Sequence, residues 1–159
     1  FNIKKIDSKI NLSKLNRNLV LVFTGINRNA SEIAGKYISK LSKSKETQMI
    51  EIMQQVDEGE KLLSNGKFDD FGKLLNVSWQ YKKSLSNIIS NKKIDELYNH
   101  FMKNGALGGK LLGAGGGGFM VFYLPYFKQK KFFEKNKNIK NVPFNFTNTG
   151  SEIIFTEND

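Results

Sequence analysis

Residues 105–118 read GALGGKLLGAGGGG and run straight into the apolar stretch FMVFYL. Each glycine inside a helix or strand costs about 0.5–1 kcal/mol relative to alanine. Such a run therefore trades stability for positive φ or for a close approach to the backbone. Bare N–H groups in such a run can line an anion-binding concavity. The same residues also fit a tight, bulged entry into a central strand, and composition alone does not separate the two readings. Residues 113–118 match G-x-G-x-x-G in letters only. A dinucleotide fingerprint follows a strand and opens a helix, whereas here a helix precedes the glycines and a strand follows. The phosphate loop G-x-x-x-x-G-K-[ST] also fails: Gly109-Lys110 supplies the GK pair, but Leu111 replaces the hydroxyl residue and Asn104 the first glycine.

A second group of polar residues follows the apolar run Leu19–Phe23. Thr24 and Arg28 stand on a loop that leads toward a helix N-terminus, where anions are favoured. Arg28 is one of only two arginines, and its planar fork suits phosphate. A surface ion pair is its plainer role. Ser31 either contacts a ligand or sits in the first helical turn. Trp79 and Lys83 are one turn apart on a helix and share a face. Trp79 also suits an ordinary core, and Lys110 either reaches a phosphate or lies solvated. His100, the only histidine, falls on an amphipathic helix and reads as structural.

The elements that position these residues follow from periodicity. Phe1–Ile6 reads as an edge strand, and Leu19–Phe23 as a strand buried on both faces. Asn27 or Asn29 caps a helix running to about Leu41. Met49, Ile52, Met53, Val56 and Leu63 form the core face of a second helix that ends at Asn65-Gly66. A third helix carries Phe71, Leu74, Leu75, Ser78, Lys82 and Leu85, and a fourth carries Ile94, Leu97, Tyr98, Phe101 and Met102, stopping at Asn104-Gly105. Strands are expected at 119–124, 142–146 and 152–155, with a short basic helix from Pro125 to about Lys135. Clustered helices against a small, largely antiparallel sheet make an α+β domain.

Composition sets the outer bounds. With 159 residues the chain can bury a core. Cysteine is absent, which removes disulfides, thiolate nucleophiles and Cys-ligated metals. No apolar stretch is long enough to span a membrane and no signal peptide is recognised, so a cytoplasmic protein without a membrane partner is expected. The net charge of +10 invites a nucleic-acid reading. The basic residues are nearly all lysines spread along the chain, however, and no nucleic-acid partner is expected.

GALGGKLLGAGGGGFMVFY closely resembles the third signature motif of the GHMP kinases, the superfamily of galactokinase, homoserine kinase and mevalonate kinase. VLVFTGINRNASEIAGKY, from Val20 to Tyr37, resembles the T-G-x-x-R-x-A-S-x-I stretch of the sugar-1-kinase branch that includes D-glycero-D-manno-heptose 7-phosphate kinase. FGKLLNVSWQYKKS, from Phe71 to Ser84, resembles that branch's helix with a Trp and paired basic residues. Together these span most of residues 19–124 in the expected order.

The resemblance implies a ferredoxin-like GHMP C-terminal domain over residues 1–159, with 1–18 ending the connection between two lobes. It implies ATP and Mg2+ as cofactors and a sugar phosphate as substrate, phosphorylated at its anomeric hydroxyl. The product would feed activated heptose for surface polysaccharide. Gly113, Ala114, Gly115, Gly116, Gly117, Gly118 and Lys110 would support the nucleotide loop. Thr24, Arg28, Ser31, Trp79 and Lys83 would face substrate. Neither the Ser-rich P-x-x-x-G-x-x-S-S loop nor the family's acidic catalytic motif occurs here. The catalytic residues and any metal ligands are therefore expected in an N-terminal lobe of the same polypeptide, and this chain alone is expected to be inactive. A fucose or other GHMP kinase, and a non-catalytic binding module of this fold, are the alternatives.

Overall fold

The structure, a computed structural model, describes residues 12–29, 31, 33–35 and 45–147. In chain order these form helix α1 (Leu12–Asn18), strand β1 (Leu19–Phe23), helices α2 (Glu46–Ser64), α3 (Phe68–Leu85) and α4 (Lys92–Lys103), strands β2 (Gly108–Leu111) and β3 (Phe119–Tyr123), helix α5 (Tyr126–Lys135) and strand β4 (Asn141–Val142). The strands make one antiparallel sheet in the order β2-β3-β1-β4. Clustered helices against a small antiparallel sheet are the α+β arrangement that the periodicity predicts. The edge strand expected at Phe1–Ile6, the end of the first helix near Leu41 and the strand at 152–155 lie outside the described residues.

The central pair of the sheet aligns Leu19 with Tyr123 and Phe23 with Phe119. β1 is not buried on both faces as its unbroken apolar sequence suggests. Val20 and Val22 are buried, while Leu19, Leu21 and Phe23 are only partly covered. Side chains alternate across a strand, and the helices cover one face of β1 more fully than the other. Two elements carry little sequence signal. α1 has only Leu12 and Leu15 at helical spacing, and β2 lies inside the glycine-rich segment. Residues 12–18, expected to end an inter-lobe connection, form α1, which packs through Leu15 on Phe68 and Tyr123.

Trp79 of α3, Tyr98 and Phe101 of α4, Phe132 of α5 and the sheet residues Val20, Val22, Met120 and Phe122 form the main core. Phe101 stacks on Phe122 with ring centroids 3.9 Å apart. α3 lies directly over β2 and β3. A side chain at Gly72 would put its Cβ 2.6 Å from Cγ of Tyr123, so the glycine sets how closely helix and sheet meet. α4 begins at Asn91, whose side chain accepts from the Ile94 N–H at 3.1 Å as an N-cap.

Of the apolar stripe of α2, Leu63 packs on the Phe68–Tyr123 cluster, but the N-terminal part is not a core face among the described residues. Met49, Met53 and Val56 are 41%, 70% and 69% exposed. The helix packs on α3 farther along, where Gly59 meets the Leu74 and Phe71 side chains. Periodicity locates the helix correctly, but it marks a face without identifying what that face meets. The predicted strand at 142–146 shrinks to Asn141–Val142, which pairs with β1.

Candidate anion-binding site

β2 and β3 form a hairpin, closed at its mouth by the Leu112 N–H donating to Phe119 O at 2.8 Å. Gly113, Gly115, Gly116 and Gly118 of its loop all have positive φ, between 69° and 113°. Gly115 shows why the loop needs glycine. With φ at +113°, a Cβ there would also lie 2.9 Å from Ile89 Cα. Both the dihedral and the space exclude a side chain.

Three flanking segments hold this loop. The Gly116 N–H donates to Ile89 O at 2.9 Å, and the Gly118 N–H to Ile26 O at 2.9 Å. Asn91 Nδ2 donates to Gly116 O at 3.2 Å. Arg28 spans the loop, with Nε donating to Gly117 O at 3.2 Å and Nη2 to Leu112 O at 3.4 Å. Among the described residues, the N–H groups of Gly113, Ala114, Gly115 and Gly117 find no protein acceptor. The run therefore combines strand entry with a set of unclaimed donors.

Thr24 is 4% exposed. Its hydroxyl donates to Gly118 O at 2.8 Å and accepts from the Ile26 N–H at 3.3 Å. Both hydrogen-bonding functions are used within the protein, so Thr24 positions the loop rather than presenting itself to a ligand. Ser31 is exposed, and its N–H donates to Asn29 Oδ1 at 3.0 Å, the contact of a first-turn residue with its cap.

Lys110 lies on β2 with its ammonium donating to Ser78 Oγ at 3.0 Å, and burial lowers its pKa. It is partly covered rather than freely solvated. Beside it stands Lys82 of α3, which the sequence does not single out as a ligand. Lys82 Nζ donates to Leu111 O at 3.1 Å and to Gly113 O at 2.5 Å. Burial first, then the nearby charges of Lys110 and Arg28, push its pKa down to about 8. Among the described residues no carboxylate pairs with Arg28, Lys82 or Lys110.

The Trp79–Lys83 pair, expected to face substrate, lies on a different side of α3 from Lys82. Trp79 is 0% exposed in the main core, which is the packing role that its sequence also fits. Lys83 bonds Asp95 Oδ1 at 3.3 Å and lies over the Trp79 and Tyr98 rings at 5.7 and 5.9 Å. Consecutive residues on a helix diverge by about 100°, so one lysine of the KK pair reaches the glycine loop and the other an internal carboxylate. Lys82 shares a helical face with Ser78 four residues before it, and that polar pair within an apolar stripe is the sequence signal that could have found it. His100 is structural, as read: it bonds Asn136 Oδ1 at 2.8 Å and packs on Phe132.

A cavity of about 670 Å3 opens beside Thr24 and Gly25, lined by Lys93, Leu97, His100 and Lys140 among others. None of Arg28, Lys82, Lys110 or the glycine loop lines it. The loop is the stronger candidate: its cations and unclaimed N–H groups form an open wall, which encloses a volume only when another surface faces it. Among the described residues, no group of three His, Asp or Glu could hold a metal ion, and no helix is long and apolar enough to cross a membrane.

Residues 60–137 match the family of GHMP kinases C terminal. This chain carries a GHMP kinase C-terminal domain. It is 36% identical over 113 residues to a D-glycero-alpha-D-manno-heptose 7-phosphate kinase of Campylobacter jejuni, a match that covers 70% of this chain and 33% of the relative. A bifunctional fucokinase/GDP-fucose pyrophosphorylase of Arabidopsis thaliana is 30% identical over 114 residues, 69% of this chain and 11% of that protein. A crystal structure of a Campylobacter jejuni protein described as a sugar kinase superposes with a TM-score of 0.63 at 31% identity, over 94% of this chain and 42% of that one. The GHMP domain thus spans about a third of the heptose kinase it matches. Its glycine loop is the segment that resembles the family's third motif.

Proposed function

We propose that this GHMP domain is the C-terminal lobe of an ATP-dependent sugar kinase. The reaction would carry the γ-phosphoryl group to the anomeric hydroxyl of a sugar phosphate, D-glycero-D-manno-heptose 7-phosphate before others, giving the 1,7-bisphosphate. The 36% identity to the Campylobacter heptose kinase supports that choice of sugar. The observation that carries the kinase reading is the glycine loop clamped by Arg28, with four N–H groups left without a protein acceptor. Polyphosphate is the chemistry such a surface fits, since oriented N–H groups and fixed cations recognise anionic oxygens.

ATP supplies the phosphoryl group, and this chain's residues would bind and orient it. The N–H groups of Gly113, Ala114, Gly115 and Gly117 would face phosphate oxygens, and Arg28 would offset developing charge while holding the loop. Positioning and charge neutralisation of this kind account for most of the catalysis in phosphoryl transfer. The catalytic residues and the Mg2+ ligands are assigned to an N-terminal lobe of the same polypeptide.

Fucose is the second reading, supported by the bifunctional fucokinase relative. Assay of the two-lobed protein with ATP against heptose 7-phosphate and L-fucose separates the two. Phosphorylation of the heptose at its anomeric position is the expected result. Turnover of fucose alone would transfer the assignment to the second reading, and turnover of neither would overturn the sugar-kinase reading.

A further inference from the structure

We propose that Lys82, together with Arg28 and Lys110, forms a three-cation seat for one phosphate group, with Lys82 as its central ligand and loop latch. The inference rests on the kinase reading and extends it to a residue and a binding mode. Arg28 and Lys82 reach consecutive carbonyls of the same strand end: Lys82 bonds those of Leu111 and Gly113, and Arg28 that of Leu112. Lys110 lies one residue before Leu111, held on Ser78 of the same helix as Lys82. Charges from three elements (a loop, a helix and a strand) therefore converge on residues 110–113.

Three lysines of the domain pair with carboxylates, Lys73 with Asp70, Lys83 with Asp95 and Lys92 with Glu96, while most of the others described lie exposed without one. Among the described residues Arg28, Lys82 and Lys110 have none either. Like charges held together and partly desolvated raise the energy of the charged state, and an anion among them relieves it. A lysine ammonium has three donors. Two of those on Lys82 are occupied by carbonyls, which leaves one for a ligand, and the adjacent N–H groups of Gly113 and Ala114 are unclaimed. Several cations and N–H donors at one place match an oxygen-rich dianion, a phosphate monoester or diphosphate, better than a lone carboxylate.

The groups facing Lys82 are Lys110 from β2 and Arg28 from the loop after β1, both cationic. Its pKa of about 8 puts its charge within reach of a titration. Anion binding favours the protonated form, so by linkage the bound pKa lies above the free one. Affinity is then constant below about pH 8 and falls as pH rises above it.

The test is an NMR titration of this chain with inorganic pyrophosphate, reading backbone amides and lysine Nζ. Saturable shifts at Gly113 and Ala114 are expected, with a rise in the Lys82 pKa. Lys82→Met should weaken binding by about tenfold or more, as expected for loss of a charged hydrogen bond, whereas Lys82→Arg retains most of it and Lys83→Met changes it little. Should Lys82→Met fail to fold, the unsubstituted chain still decides. Binding of sulfate, a dianion throughout this range, must weaken above about pH 8. Parent-like binding by Lys82→Met, equal losses in Lys82→Met and Lys83→Met, or no saturable shift would each overturn the seat. Pyrophosphate bound through Lys82 in a protein that phosphorylates neither sugar would sink the kinase reading and leave the seat standing.

Discussion

Arg28 Nε donates to Gly117 O at 3.2 Å while its Nη2 reaches Leu112 O at 3.4 Å, so one guanidinium fastens both ends of the glycine loop. Two loops 89 residues apart thereby act as one surface. Arg28→Ala should free the loop, with faster hydrogen exchange at the Gly116 and Gly118 amides and a stability loss of about 1–2 kcal/mol. Arg28→Lys should not restore protection, because a point charge cannot span two carbonyls. Exchange rates that match the parent in Arg28→Ala would refute the clamp.

Gly115 combines a φ of +113° with an Ile89 Cα that would stand 2.9 Å from an added Cβ. Gly115→Ala should cost about 1–3 kcal/mol, read as a lowered denaturant midpoint. An alanine variant as stable as the parent would mean that the loop does not hold this conformation in solution.

Trp79 packs at 0% exposure, and its Nε1 has no hydrogen-bond partner. Trp79→Phe should therefore be mild, at about 1 kcal/mol, whereas Trp79→Ala should cost about 3–5 kcal/mol. Neither change should alter pyrophosphate affinity in whatever folds. A selective loss of affinity in a fully stable Trp79→Phe protein would return the residue to the ligand.

Lys82 titrates near 8 in the folded chain, below the ordinary lysine value of 10.5. Between these values the unfolded chain holds a proton that the folded chain has released, so stability rises with pH. Lys110 is shifted in the same direction. Tyr98, pushed up to about 12 by burial, acts oppositely above its ordinary value of 10.0, because the unfolded phenol ionises first. Denaturation at a series of pH values in phosphate-free buffer should show stability climbing from about pH 8 to about pH 10 and then levelling or falling. Lys82→Met should flatten the climb. An equal climb in that variant would assign the effect to other groups.

Met53 and Val56 are 70% and 69% exposed on α2. Met53→Gln should change the stability of this chain by no more than about 0.5 kcal/mol, as thermal unfolding would report. A loss of several times that amount would restore the core face that periodicity suggests.

The sequence exposed some of this directly. The order of glycines before an apolar run excludes both familiar phosphate loops and matches a GHMP motif, and the hairpin at Leu112–Phe119 carries that motif where expected. Thr24 and Arg28 were legible as polar residues of one loop after a strand, and the structure sets both against the glycine hairpin. Lys82 was legible on one helical face with Ser78 and Lys83 on another with Trp79, but which face meets the glycine hairpin depends on packing against β2, which periodicity does not record. The stripe of Met49, Met53 and Val56 failed for a related reason: amphipathicity records that a face is apolar but not what covers it. Trp79 illustrates a third limit, because a Trp one turn from a Lys fits a ligand stack and a packed core equally well.

The glycine loop with Arg28, Lys82 and Lys110 is proposed as the anion-binding wall of this GHMP domain. Amide chemical-shift mapping of the chain during pyrophosphate addition tests it most directly. The largest shifts are expected at Gly113, Ala114, Gly115 and Gly117, whose N–H groups have no protein acceptor among the described residues. Shifts concentrated instead on Lys93, His100 and Lys140, around the cavity beyond Thr24, would contradict it.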